Sequence, residues 1–452
     1  MNQVPEISCF IHSFENNMVT HLLDLPDQVL SRIMAAHLGS DDGGGLDVAC
    51  KDTRRLFLEG ITSLTWSKET RCRSDDLAFV AKKCKNVSSV KINGGCINIT
   101  SVDHLSTLTG LKTLKVCCCS DVTDVGPLAT LTGLKTLVMT CCYEVTDVGS
   151  LAALTGLQTL EMSDCTNVED VGPLAALTGL ETLFVNDTGV VDIGPLAQLT
   201  GLKTLGMRGC YKVTCVGPLA ALTGLHTLDV SISTNISDIG PLSTLTGLQT
   251  LEMSDCTNVE DVGPLAALTG LKTVVMRGCY KVTDVEPLAA LTGLQTLEMS
   301  DCTNVEDVGP LAALTGLRML FINDTGVFDV GPLAQLTGLK TLFINDTGVV
   351  DVAPLSTLTG LQILNMRGCC GITDVGPLSA LTGLQMLDVG VTKVADIGPL
   401  SALTGLRTIN VSWTDISDVG PLAALTGLRT LDASHTNVTD VGALSALTDM
   451  RA

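Results

Sequence analysis

The chain has 452 residues, a formal charge of −21 and only 3% aromatic residues. Such a field repels phosphate backbones and anionic lipid, so nucleic acid and membrane surfaces are poor partners, whereas a protein ligand with basic groups is not excluded. Residues 1–100 hold 11 Lys+Arg against 12 Asp+Glu, leaving 16 and 36 of the totals for the rest, so the acid excess sits in residues 101–452.

Residues 1–20 carry no pattern and are expected to be disordered or loosely ordered. They show no basic segment followed by an apolar run, the mark of a secretory signal, and no 18-residue apolar stretch comes after them. Eighteen cysteines without such a signal predict reduced thiols in the cytoplasm, or the nucleus. From Leu25, with Pro26 suited to a first helical turn, apolar Val29, Leu30, Ile33, Met34 and Leu38 share one helix face. Gly39 to Gly45 breaks that helix, and Leu46, Val48, Ala49, Cys50, Leu56 and Phe57 predict a second. Leu25-Pro26, the paired Val29-Leu30, Ile33, Leu38 and the Val48-x-Cys50-Lys51 stretch resemble an F-box. The resemblance implies that Leu25, Pro26, Val29, Leu30 and Ile33 face a Skp1-type adaptor. The insert Ser40-Asp-Asp-Gly-Gly-Gly45 departs from that pattern, and residues 21–60 also read as a helical cap for a repeat array beginning at residue 61.

Ile61, Leu64 and Trp66 predict one strand, and Val87, Val90 and Ile92 the next, 26 residues on. A helical run from Asp75 to Lys83 lies between. From Leu111 the pattern is regular. The Gly of an LTG anchor returns at 110, 133, 156, 179, 201, 224, 247, 270, 293, 316, 338, 360, 383, 405 and 427, always 22 or 23 residues apart. One 24-residue stretch, LQTLEMSDCTNVEDVGPLAALTGL, occurs unchanged at 157–180, 248–271 and 294–317. Self-similarity of this period marks a stacked repeat. The unit L-x-x-L-x-(L/V/M)-x-x-(C/T/S), closed by D-(V/I)-G-P-L-x-x-L-T-G, resembles the leucine-rich repeat family, and its tail is similar to the internalin-like subclass. The 26-residue spacing before it resembles cysteine-containing leucine-rich repeats. That implies an α/β fold: a right-handed solenoid over 61–452 (irregular repeats 61–110, regular 111–452) with a parallel concave β-sheet, short 3₁₀ or helical turns on the convex side and a small helical N-terminal domain.

Within each unit, counted from its first Leu, alternation through Leu157, Leu160 and Met162 predicts a short strand with Glu161 and Ser163 outward. Gly172-Pro173 is expected to make the bend opposite the strand, and Leu174 and Leu177 to point inward from a tight turn. The ninth place holds Cys119, Cys142, Cys165, Cys210, Cys256, Cys279, Cys302 and Cys369, or Thr188, Thr325, Thr347, Thr392, Thr414, Thr436 and Ser233. Cysteine units are 23 long and threonine units 22; the sequence offers no reason.

On the outward face the candidate protein-binding residues are Phe184, Arg208, Arg277, Glu298, Asp301, Phe321, Phe343, Arg367 and Trp413, since exposed aromatics and Arg dominate binding energy at interfaces. Duplication could equally have copied them, with Arg277 paired to Glu252 or Glu298 between rungs. The six histidines are scattered, and no Walker, Rossmann or HExxH motif occurs, so no catalytic residue, cofactor or metal ligand is assigned. Cys117, Cys118, Cys119, Cys141 and Cys142 are dense enough to raise Zn²⁺ or Cu(I), but two are ladder places and the rest read as surface thiols. The resulting expectation is a non-catalytic adaptor that binds a protein target on the concave face and delivers it to a ubiquitin ligase. The alternative is a repeat scaffold or regulatory subunit of an enzyme such as a phosphatase or cyclase.

Overall fold

A computed structural model describes residues 61–66, 72–94 and 99–446. The F-box-like stretch 21–60, with Leu25, Pro26, Val29, Leu30 and Ile33, lies outside them. The chain forms two compact units, divided after Leu183.

In the first unit, β1 (Ser63–Trp66) pairs in parallel with β2 (Ser89–Asn93), Ser63 opposite Ser89, with the helix α1 (Ser74–Lys83) between them. Asp76, buried in the first turn of α1, accepts the Arg73 N–H at 2.9 Å, which closes the helix start. Leu77, Phe79 and Val80 are the buried face of α1. Further parallel strands follow: β3 (Thr113–Cys117), β4 (Thr136–Val138) and β5 (Thr159–Glu161). From Asp103–Thr107 onward a five-residue 3₁₀ turn replaces the helix.

The second unit continues the regular rungs, with three-residue parallel strands from Thr204–Gly206 to Thr430–Asp432 and a 3₁₀ turn in each rung to Gly442–Ala446. Altogether the described residues hold seventeen strands.

The 3₁₀ turn follows from spacing. Val171, Leu174, Leu177 and Leu180 are three apart, so at three residues per turn all four side chains fall on one face. Their N–H groups run in series, Leu174 to Val171 O (3.0 Å), Leu177 to Leu174 O (2.9 Å) and Leu180 to Leu177 O (2.9 Å). With Leu157, Leu160, Met162 and Val168 they are fully buried, forming one aliphatic layer per rung.

The bend before that turn is made differently from the expectation. Asp170 Oδ1 accepts the Gly172 N–H at 2.6 Å, and the same bond recurs in rung after rung. Glu286 and Ala353 stand in the glycine's place and keep it at 2.8 Å. The aspartate therefore fixes the bend, by satisfying an N–H that the turn leaves orphaned, and glycine's freedom is not needed there.

Glycine's freedom is needed instead at the eighth place of the rung, where the strand leaves the sheet. That residue is left-handed in both units: Asp164 (φ 61°), Gly209 (67°), Ile232 (61°), Asp255 (56°), Gly278 (67°), Val391 (54°) and Trp413 (56°) among them. Gly and Asp suit this conformation; Ile, Val and Trp are strained in it.

The ninth place explains the two repeat lengths. In most 23-residue rungs the ninth N–H donates to the rung's own sixth carbonyl, as Cys165 N to Met162 O at 3.2 Å. The thiol is then free to reach the preceding rung: Cys165 Sγ to Met139 O (2.9 Å), Cys279 to Met253 O (3.2 Å), Cys302 to Met276 O (3.1 Å). In 22-residue rungs the hydroxyl replaces that N–H as the donor to the sixth carbonyl, with Thr188 bonded to Val185 O (2.7 Å), Thr325 to Ile322 O (2.6 Å) and Thr414 to Val411 O (2.6 Å). Ser233 separates length from chemistry. It occupies a 23-residue rung and behaves as the cysteines do, N–H to Val230 O (3.2 Å) and Oγ to Met207 O (3.1 Å).

Candidate functional site

Burial raises the ladder thiols of Cys256 and Cys302 to about 12, whereas the hydrogen bond with Cys142 lowers Cys165; each thiol is a structural donor to a carbonyl of the preceding rung. Fourteen described cysteines are free, but Cys119 is disulfide-bonded, against the expectation of wholly reduced thiols. Among the described residues no group of three or more His, Cys, Asp or Glu is placed to hold a metal ion.

The outward places of each strand make the accessible face, and in the second unit register decides which predicted residues become neighbours. Val275 pairs with Glu298, Glu298 with Phe321, Phe321 with Phe343, and Phe343 with Asn365. Arg277, Glu298, Asp301, Phe321, Phe343, Arg367 and Trp413 therefore lie on consecutive rungs apart from one gap at Asp388. Phe184 and Arg208 stand on rungs three and more strands earlier and form no part of this group. There the Phe184 ring lies where a Cβ on Gly206 would otherwise project, and Asn186 Oδ1 accepts the Arg208 N–H at 2.9 Å.

At one end Arg277 Nε binds Asp301 Oδ2 at 2.7 Å, not the Glu252 or Glu298 expected from sequence. Asp301 stands at the left-handed eighth place of the next rung. This pair, with Glu298 and Asp255 near, raises the Arg277 guanidinium further. Glu298 Oε1 accepts the Ser300 N–H at 3.1 Å, so its carboxylate is tied to its own rung.

In the middle Phe321 and Phe343 are in ring contact, centroids 5.1 Å apart and planes tilted by 34°. At the far end Arg367 Nη1 reaches over one complete rung to Ser412 Oγ at 3.2 Å. Gly390 makes this reach possible, since a Cβ there would stand 2.7 Å from the same nitrogen. Trp413 is 56% exposed and stacks on His435 at 4.0 Å.

Reasoning from sequence missed three residues of this face. At the third place of the regular rungs nearly every residue is Thr, whereas Met319, Ile363 and Met386 interrupt the column. In register Met319 pairs with Thr341, Thr341 with Ile363, and Ile363 with Met386. Met319 is exposed, Ile363 and Met386 half-buried, and beside them lie the half-buried Phe321 and Phe343. The five residues lie over four rungs, and Asp324 and Asp346 follow the two phenylalanines on their own rungs. The broken threonine column was legible in the sequence.

Comparisons with known proteins bear on the fold. A family model described as Leucine Rich repeats (2 copies) matches residues 223–267. A leucine-rich repeat protein from Leptospira interrogans is similar with a TM-score of 0.65 at 14% identity, covering 89% of this chain and 98% of that one. The functional domain of a Listeria monocytogenes internalin, which includes a cysteine ladder, gives 0.51 at 20% identity over 87% and 73%. An internalin of the same organism gives 0.46 at 24% identity over 94% of each chain. No curated protein matches the sequence.

Proposed function

We propose that this leucine-rich repeat chain is a non-catalytic recognition protein, and that it binds a protein ligand on the strand face of its second unit. The fold implies protein–protein interaction. The observation that localises it is the patch of Met319, Ile363 and Met386, which replace the threonine of other rungs, beside Phe321 and Phe343. Apolar and aromatic groups at the centre with charge at the edge are the anatomy of an interface. Asp324, Asp346 and the overall charge of −21 favour a ligand with an apolar segment flanked by Lys or Arg.

The test compares proteins captured from the parent cells by the full chain and by Met319→Thr/Phe343→Asn/Met386→Thr, which installs the polar residues of other rungs. A bound protein lost by this variant and kept by Arg208→Ser supports the reading. A triple variant with unchanged circular dichroism that retains every captured protein overturns it.

A finer reading adds an adaptor role in a ubiquitin ligase, with Leu25, Pro26, Val29, Leu30 and Ile33 docking a Skp1-type protein. Its support is the spacing of those residues. Co-purification with such an adaptor, lost in Leu25→Ala/Pro26→Ala, is the required result, and its absence removes the adaptor role while leaving ligand binding intact.

A further inference from the structure

The first unit carries a different feature on its strand face. Cys118 and Cys141 both occupy the eighth place of their rungs, and both have φ of 55°. Of the other 23-residue rungs, all but the one with Ile232 place Asp164, Gly209, Asp255, Gly278, Asp301 or Gly368 there, residue types suited to a left-handed backbone. Two thiols have replaced them on adjacent rungs.

The register Thr113 to Thr136 and Leu114 to Leu137 carries on to set Cys118 beside Cys141, and the Cys118 N–H donates to Thr140 O at 2.8 Å. Neighbouring strands stand about 4.8 Å apart, inside the roughly 4.4–6.8 Å between Cα atoms that a disulfide spans. With matching φ, the two side chains leave the backbone in the same sense from adjacent rungs.

The surroundings give the two sulfurs different roles. Cys118 is exposed and Cys141 half-buried. Cys141 Sγ donates to Asp164 Oδ2 at 3.7 Å. Burial, with the Cys118 and Asp164 charges adding to it, pushes the Cys141 thiol up. The neighbouring cysteines do not compete. Cys119 is already disulfide-bonded, Cys142 is a buried ladder thiol donating to Val116 O at 3.4 Å, and Cys117, at the seventh place, has Thr140 as its counterpart on the next rung.

We propose that Cys118 and Cys141 form a thiol-reversible oxidation site, closing into a cross-rung disulfide when the protein meets a peroxide. The exposed Cys118 thiolate attacks the O–O bond of hydrogen peroxide, takes one oxygen as a sulfenic acid and releases hydroxide. Cys141 then gives up its proton and its sulfur displaces hydroxide from the Cys118 sulfur. Two thiols and one peroxide become one disulfide and two waters, with two electrons passing from sulfur to oxygen.

The test uses the full chain and counts thiols alkylated in denaturant, by intact mass, before and after equimolar hydrogen peroxide. Wild type loses two thiols, and dithiothreitol restores them. Cys118→Asp, which installs the residue of other rungs and so preserves the backbone, loses none, and Cys141→Asp loses at most the one thiol that stops at the sulfenic acid, while Cys117→Ser still loses two. Loss of two thiols in both Asp variants overturns the assignment, as does a wild-type loss that dithiothreitol cannot reverse.

Discussion

The ladder makes a prediction that pits two near-identical substitutions against each other. Thr325 and Thr347 are both buried threonines at the ninth place of 22-residue rungs, each donating to its own sixth carbonyl at 2.6 Å. Their carbonyls differ. Among the described residues Ile322 O accepts from Thr325 Oγ1 alone, whereas Ile344 O also accepts from Cys369 Sγ at 3.1 Å, because a 23-residue rung comes next. Thr→Val keeps the shape and deletes the donor. At Thr325 it orphans a buried carbonyl, at a cost of about 1–3 kcal/mol. At Thr347 one of two bonds goes and the carbonyl stays paired, at a cost of about 0.5–1 kcal/mol. In a repeat array unfolding need not be two-state, so a local measurement is required. The amides of Ile322 and Ile344, donating to Phe343 O (2.9 Å) and Asn365 O (2.8 Å), are suitable probes of native-state hydrogen exchange. Thr325→Val should accelerate exchange at Ile322 by about 5- to 150-fold, and Thr347→Val at Ile344 by about two- to fivefold. Equal acceleration, or a larger one at Ile344, refutes the assignment of hydrogen bonds along the ladder.

Two further outcomes are expected on the strand face. Burial and then the neighbouring Asp229 hold the Glu252 carboxyl above its ordinary value, against Arg208. The folded chain thus binds the Glu252 proton more readily than the unfolded one. This contribution to stability is complete below the unfolded value near pH 4 and is lost as pH rises through the folded one. Glu252→Gln should therefore melt higher than wild type at pH 7, the difference closing below about pH 4; a lower melting temperature at pH 7 rejects the cause assigned. At Val391 a β-branched residue sits at φ 54° with its N–H bonded to Ser412 O at 2.8 Å. Val391→Asn should relieve about 1 kcal/mol of backbone strain and slow exchange of the residue-391 amide about fivefold; faster exchange counts against it.

How far the face could be read in advance differs from residue to residue. Phe321 and Phe343 were legible as neighbours because the repeat period puts the same place of successive rungs side by side. Arg277 was assigned the wrong acid because its partner sits at the left-handed eighth place, which leaves no periodic trace when Asp, Gly, Cys, Ile and Trp all occupy it. The bridge from Arg367 to Ser412 spans 45 residues and depends on the absence of a side chain at Gly390. No pattern in the sequence marks that gap.

Periodicity alone determined the fold of the described residues. Leucines returning every 22 or 23 places must be buried together, and a three-residue spacing admits only a tight turn. The tertiary structure decided where each polar group sends its hydrogen bonds: an aspartate and not glycine at the bend, the preceding rung for cysteine and the same rung for threonine. Burial is a property of each residue type and repeats with the sequence. A hydrogen bond depends on two groups that the chain brings together only when rungs of particular lengths are stacked.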